Sequence, residues 1–191
     1  MPQKLLVARE KYLTAGIHIG MTSRTADMAR FIYKVRPNGL AVLNVGMLDR
    51  RIEHAANFLS TKKSVLVVSR KENARDAANE FAEVIGGRAI TGRFMPGSLT
   101  NPTFKNFFEP DVLIITDPAV DRQAIKEAVQ MRMPIIGLAD TFNETSYIDL
   151  ILPCNNKGKK SVSLVFWLLA KLMKEKKGEQ FDLKPEDFGY A

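Results

Sequence analysis

The chain has 191 residues, 46% of them hydrophobic, and carries 28 Lys and Arg against 21 Asp and Glu for a formal charge of +7. That length and apolar content suffice for one domain with a substantial core and exclude disorder along the whole chain. The basic excess tilts the partner toward a polyanion, and the single cysteine, Cys154, excludes an internal disulfide and a thiolate zinc cluster.

Lys4 to Thr14 has the apolar spacing of a helix that Gly16 stops. A polar, Arg-bearing stretch follows from Thr22 to Arg30. Phe31–Val35 and Leu40–Val45 then read as two short strands around Pro37-Asn38-Gly39, because Asn-Gly between apolar runs favours a hairpin. Beyond this the pattern alternates. Leu48, Ile52, Ala55, Ala56 and Leu59 fall at helical spacing, Val65–Val68 is a short apolar run, and Ala74 to Ile85 is helical up to Gly86-Gly87. Val112–Ile115, Pro134–Leu138 and Ile148–Leu152 are further strands, with a helix around Ile125, Ala128 and Val129. Ser161 is placed to cap a last helix through Lys174.

Continuous apolar strands alternating with amphipathic helices indicate a mostly parallel sheet covered on both faces, an α/β three-layer sandwich. We expect one α/β domain over residues 1–177, with an N-terminal arm to about residue 36. Residues 178–191 are polar and acidic and read as an extended tail, either mobile or ordered against a protein partner. The longest apolar run, Leu164–Ala170, is far short of the roughly 20 residues that span a bilayer. The first residues lack a signal peptide's apolar run and cleavage site. No membrane contact and a cytoplasmic location are expected.

Charge is unevenly placed. Residues 1–105 hold 17 basic and 8 acidic side chains, 106–156 hold 3 and 8, 157–177 hold 7 and 1, and 178–191 hold 1 and 4. The basic stretches are expected to face RNA. The acidic middle, with Glu109, Asp121, Glu127 and Glu144 read as exposed, is expected to face solvent or a basic protein.

Doubly wound sheets often bind nucleotides through recognisable motifs. No G-x-G-x-x-G follows a strand. PCNNKGKKS (Pro153–Ser161) resembles a phosphate loop, but Pro153 replaces its first glycine and Lys160 its magnesium-binding hydroxyl. Asn156-Lys157 begins a guanine-binding N-K-x-D that ends in Lys159. His18 and His54 form no metal or base motif; His18, between apolar residues, reads as a satisfied, half-buried histidine. Asp117 and Asp140 follow strands, where α/β ligands bind. They are either magnesium ligands of a small-molecule-binding protein or enzyme, or turn residues capping the next segments.

Four segments, in order, carry a resemblance: AGIHIG (Ala15–Gly20), RFMPGSLTNP (Arg93–Pro102), PDVLIITDPAVDRQAIKEA (Pro110–Ala128) and PCNNKGKKSVSLVFWLLAK (Pro153–Lys171). Together they resemble the S-two family of small ribosomal subunit proteins over nearly the whole chain. The resemblance implies a flavodoxin-like fold, no catalysis, no cofactor and no small-molecule substrate. It implies a structural place on the solvent side of the small subunit between head and body, with ribosomal RNA and neighbouring ribosomal proteins as partners. The short connection between the second and third segments leaves no room for the coiled coil of bacterial relatives, and the chain has no long C-terminal extension; it is similar to archaeal members.

The RNA-binding candidates are Arg24, Arg30, Lys34 and Arg36 in the arm, Arg93, Ser98 and Asn101 in the second segment, and Lys157, Lys159 and Lys160 ahead of the last helix, whose positive end favours an anion. Asn101-Pro102 also reads as a cap and helix start. Leu164, Trp167 and Leu168 form a second apolar stripe on the last helix. They are either core or, with Trp167 as anchor, a protein interface.

Overall fold

The computed structural model describes residues 5–190. A helix α1 (Arg9–Thr14) leads into an antiparallel hairpin of β1 (Ile32–Val35) and β2 (Ala41–Leu43). The helix is shorter than its apolar pattern. Leu6 N–H donates to the Asp49 carboxylate at 3.1 Å, which ties the preceding residues to the next helix rather than to α1. Lys4 lies outside the described residues. The hairpin turns where expected, with the positive φ carried by Gly39 (83°).

The body follows as α2 (Val45–Ser60), β3 (Val65–Ser69), α3 (Arg75–Ile85), β4 (Arg88–Thr91), β5 (Val112–Ile115), α4 (Arg122–Gln130), β6 (Ile135–Ala139), β7 (Leu150–Pro153) and α5 (Lys159–Lys177). All five strands of the main sheet are parallel, in the order β4-β3-β5-β6-β7. Relative to chain order this is the 2-1-3-4-5 winding of a flavodoxin-like sheet. Successive strand residues point to opposite faces. Val65, Val67, Val112, Ile114, Ile136 and Leu138 join α2, α3 and α5 in one core. Leu66, Val68, Leu113, Ile115 and Ile135 join α4 in the other. Among the described residues, no helix lies between β4 and β5 in the chain to cover the second face. There the loop carrying RFMPGSLTNP packs Phe94, Leu99 and Phe108 against the sheet in its place. Strand β4 has no counterpart in the pattern reading. It is an edge strand whose residues are exposed or half-buried, so it lacks the apolar run that marks β3 and β5.

Two expectations near the C-terminus are corrected. The cap of α5 is Gly158, not Ser161, which lies inside the first turn and is buried. The Asn155 carboxamide takes the capping role one step earlier, accepting from Lys157 N–H (3.0 Å) and Gly158 N–H (3.2 Å). Residues 178–190 do not extend either. They fold back on α3 and α5, with Phe188 fully buried in a short 3-10 turn (Pro185–Phe188). Trp167 Nε1–H donates to Leu183 O at 2.8 Å, and its ring meets Phe181 at 6.2 Å between centroids. The segment is acidic in count but carries an apolar spine of Phe181, Leu183 and Phe188. Trp167, Leu164 and Leu168 are therefore buried by this chain's own core and tail, and not held open for a partner. Among the described residues, no helix is long and apolar enough to cross a membrane.

Candidate nucleic-acid interface

The arm is joined to the body through AGIHIG. The strand-like run of His18 to Met21 lies along β2. Leu43 N–H donates to His18 O (2.8 Å), Gly20 N–H to Ala41 O (2.9 Å) and Ala41 N–H to Met21 O (3.1 Å). On its other side the same segment holds the lysine loop, because Asn155 N–H donates to Ile17 O at 3.0 Å and its carboxamide to Gly16 O at 3.2 Å. Gly20 is required by close approach. A Cβ there would lie 2.5 Å from Thr141 Cγ2 and 3.1 Å from Ala41 O. The next residues cross the end of β6, with Met21 N–H on Thr141 Oγ1 (2.9 Å) and Thr25 N–H on Thr141 O (2.9 Å).

Between α1, the hairpin and the start of α2 lies a groove of about 570 Å³. Its polar rim is Arg9, His18, Lys34 and Arg36, and Tyr33 lies along it 67% exposed. His18 is half-buried, as expected, and its Nδ1 has no close partner among the described residues. Burial first, and the Arg36 charge second, hold its pKa below the ordinary histidine value, against the opposing pull of a backbone hydrogen bond to Tyr12. Cationic side chains beside an exposed aromatic and a histidine suit a phosphate with an unstacked base.

The other candidates spread from this groove. Arg24 is exposed on the strand-like arm. Arg30 and Arg51 each hold a guanidinium 4.8 Å from the Phe31 ring centroid, beside exposed Arg50 on α2. Lys157 sits 4.4 Å from the Phe142 centroid and reaches Met21 Sδ. Lys159 is exposed and paired with Asp76 at 2.9 Å, and exposed Lys160 lies 5.9 Å from the Tyr190 centroid. Arg93 is exposed and lines a separate cavity of about 430 Å³ with Arg70, at the end of β3. Arg9, Tyr33 and Arg70 were absent from the sequence reading. Arg70 follows the β3 apolar run directly, and that strand-end position was its signal.

Ser98 is corrected. It is buried, and its hydroxyl donates to Met95 O at 2.6 Å, so it does not face a phosphate. Asn101 accepts from Thr103 N–H (3.1 Å) and Oγ1–H (2.7 Å) as a cap would, but the expected helix start at Pro102 is a turn: among the described residues no helix lies between β4 and β5. The loop's amides have a partner that the sequence reading placed in solvent. The buried Glu127 carboxylate accepts from Gly97 N–H (2.8 Å), Leu99 N–H (3.1 Å), Thr100 Oγ1–H (3.4 Å) and the Gln123 carboxamide (2.9 Å). Asp121 is buried too, on Arg70 N–H (3.1 Å) and Asp117 N–H (3.2 Å).

The strand-end aspartates are engaged within the fold. Asp117 pairs with Lys71, and its Oδ1 accepts from Ala119 N–H and the Asn143 carboxamide, at 2.9 and 2.8 Å. Asp140 Oδ1 accepts from Thr141 N–H at 2.6 Å, while Oδ2 is buried with no partner among the described residues. These are turn-capping roles. Among the described residues, no group of three His, Cys, Asp or Glu is placed to hold a metal ion.

A family model described as Ribosomal protein S2 matches residues 12–107 and 104–176. The chain belongs to the ribosomal protein S2 family. The small ribosomal subunit protein uS2 of Haloquadratum walsbyi, an archaeon, is 48% identical over 176 residues, 91% of this chain. The chain spans 63% of that relative's length. The family match covers the AGIHIG joint, the glutamate-filled loop and the start of α5.

Proposed function

We propose that this chain is a structural, non-enzymatic constituent of the small ribosomal subunit in the cytoplasm and binds ribosomal RNA through its arm and the adjoining strand ends. The observation that carries this reading is the groove of Arg9, His18, Lys34 and Arg36 beside exposed Tyr33. Its cations neutralise phosphates and release their counterions. Tyr33 offers a flat apolar face to an unpaired base. Arg24, Arg30, Arg93, Lys157, Lys159 and Lys160 extend the positive surface. The engagement of Asp117 by Lys71, Ala119 and Asn143, and of Asp140 Oδ1 by Thr141 N–H, argues against the small-molecule reading. Neighbouring ribosomal proteins are expected partners, and an archaeal origin fits the archaeal relative.

The test is a salt titration of binding to small-subunit ribosomal RNA. Each lost phosphate contact lowers the slope of log affinity against log salt by about 0.7 to 0.9. Lys34→Ala with Arg36→Ala should therefore flatten it by roughly 1.5. An unchanged slope removes the groove from the interface.

A further inference from the structure

The acidic middle of the chain is far less acidic at its surface than its count suggests. Of the eight carboxylates in residues 106–156, Asp117, Asp121, Glu127 and Asp140 are buried at 1–3% exposure. Asp111 is spent at the opposite edge of the sheet, accepting from Lys63 N–H (2.9 Å) and Ser64 N–H (3.0 Å). The three basic residues of the stretch, Arg122, Lys126 and Arg132, are all exposed. The hollows beside α4 are lined by these three cations and by Glu144 and Asp149, three charges against two, and exposed Glu109 is the remaining carboxylate of the stretch. Charge therefore does not keep RNA from this face.

The same face carries an unusual pair. Among the described residues, the non-glycine positions with positive φ are Arg132 (53°) and Tyr147 (67°). A bulky side chain in the left-handed region is strained, and such strain gathers at functional sites. Arg132 follows the end of α4, and Tyr147 sits in a turn closed by Ile148 N–H on Thr145 O (3.2 Å). Glycine would relieve both places, yet one holds a guanidinium and the other an aromatic ring. They line one shallow cavity of about 380 Å³. Tyr147, 73% exposed, also lines a second cavity of about 340 Å³ with Ile125, Phe142, Arg122 and Lys126. Tyr147 is thus common to two hollows, one edged by Arg122, Lys126 and Glu144 and the other by Arg132 and Asp149. Phe142 joins this face to the lysine loop, since its ring also carries Lys157.

We propose that this face is a second RNA contact, which holds an unpaired nucleotide of the ribosomal RNA with its base stacked on Tyr147. The inference rests on the RNA-binding reading above. Arg122 and Lys126 on one side, and Arg132 on the other, take the flanking phosphates. Glu144 and Ser146, at the lip of the hollow that Arg122 and Lys126 edge, offer acceptors to the base's amino groups. The mixture of aromatic and basic side chains favours RNA over an apolar protein segment, which would leave three exposed cations without partners.

The test uses the full chain and small-subunit ribosomal RNA. Tyr147→Ala should weaken binding by roughly 10-fold or more, and Tyr147→Phe should retain it, because stacking needs the ring and not the hydroxyl. Arg122→Ala with Lys126→Ala should flatten the salt slope by roughly 1.5. Ultraviolet crosslinking of assembled subunits should attach a nucleotide to Tyr147 or Phe142. The proposal is overturned if these variants bind as the parent does while Lys34→Ala with Arg36→Ala weakens binding. It is equally overturned if a benzophenone at position 147 crosslinks to a protein. If the Lys34 and Arg36 variant also has no effect, the RNA-binding reading itself has failed.

Discussion

Removing the carboxylate of Glu127 should open the RFMPGSLTNP loop from the inside. In Glu127→Ala, the Gly97 and Leu99 N–H groups lose their acceptor, while Thr100 and Gln123 can turn toward water. Each amide left unsatisfied costs about 1–3 kcal/mol, and bonds to a charged acceptor lie at the upper end. The expected loss is about 3–5 kcal/mol, a large share of the 5–15 kcal/mol typical of a domain. Glu127→Gln keeps one acceptor oxygen and turns an NH2 toward the other amide, for about half that loss. Urea denaturation gives the stability change, and amide hydrogen exchange at Gly97 and Leu99 shows whether the loop is the place it arises. A loss below about 1 kcal/mol in Glu127→Ala, with unchanged exchange at those two amides, would refute the reasoning. The consequence for function is direct: a loop whose amides are filled by an internal carboxylate meets RNA through Arg93, not through its backbone.

Phe188→Ala should lower stability by about 3 kcal/mol through the cavity it leaves, and should expose residues 178–190 to limited proteolysis; equal resistance in variant and parent would mean that the segment is not anchored by this ring. Gly20→Ala forces a Cβ against Thr141 and should lower stability by about 1–3 kcal/mol. Thr141→Ser in the same chain removes Cγ2 and should restore part of it, as thermal melts would report. Burial raises the Asp121 carboxyl from 3.8 to about 6, against the opposing pull of its backbone hydrogen bonds. With the folded value above the unfolded one, this group favours the folded state below about pH 4, and the benefit fades as pH rises through about 6. The stability difference between Asp121→Asn and the parent should change by roughly 3 kcal/mol between pH 4 and pH 7; a pH-independent difference would contradict the shift.

The layered fold could be read from the chain because its central strands are buried on both faces. Such strands are written as unbroken apolar runs, as in Val65–Val68 and Val112–Ile115. Strand β4 escaped because its residues are exposed or half-buried and so carry no apolar run. The fate of the carboxylates was hidden for a related reason. Charge counts treat every ionised side chain as exposed, and Glu127 and Asp121 are buried against backbone amides that no pattern advertises. The arm cations were visible as composition, but their gathering into one groove depends on the β1–β2 hairpin and on AGIHIG, whose role is set by a 2.5 Å approach at Gly20. The tail misled through its charge. Phe181, Leu183 and Phe188 are only three residues among acidic neighbours, and each finds its place on α3 or α5.

The central claim is that this chain works as part of the small ribosomal subunit. It is tested most directly by sedimenting a lysate of the source cells through a sucrose gradient at low magnesium, which separates the subunits, and following the chain by immunoblot. The account expects it in the small-subunit peak, in constant ratio to that subunit's RNA. Recovery at the top of the gradient, with the small-subunit peak free of it, would contradict the account.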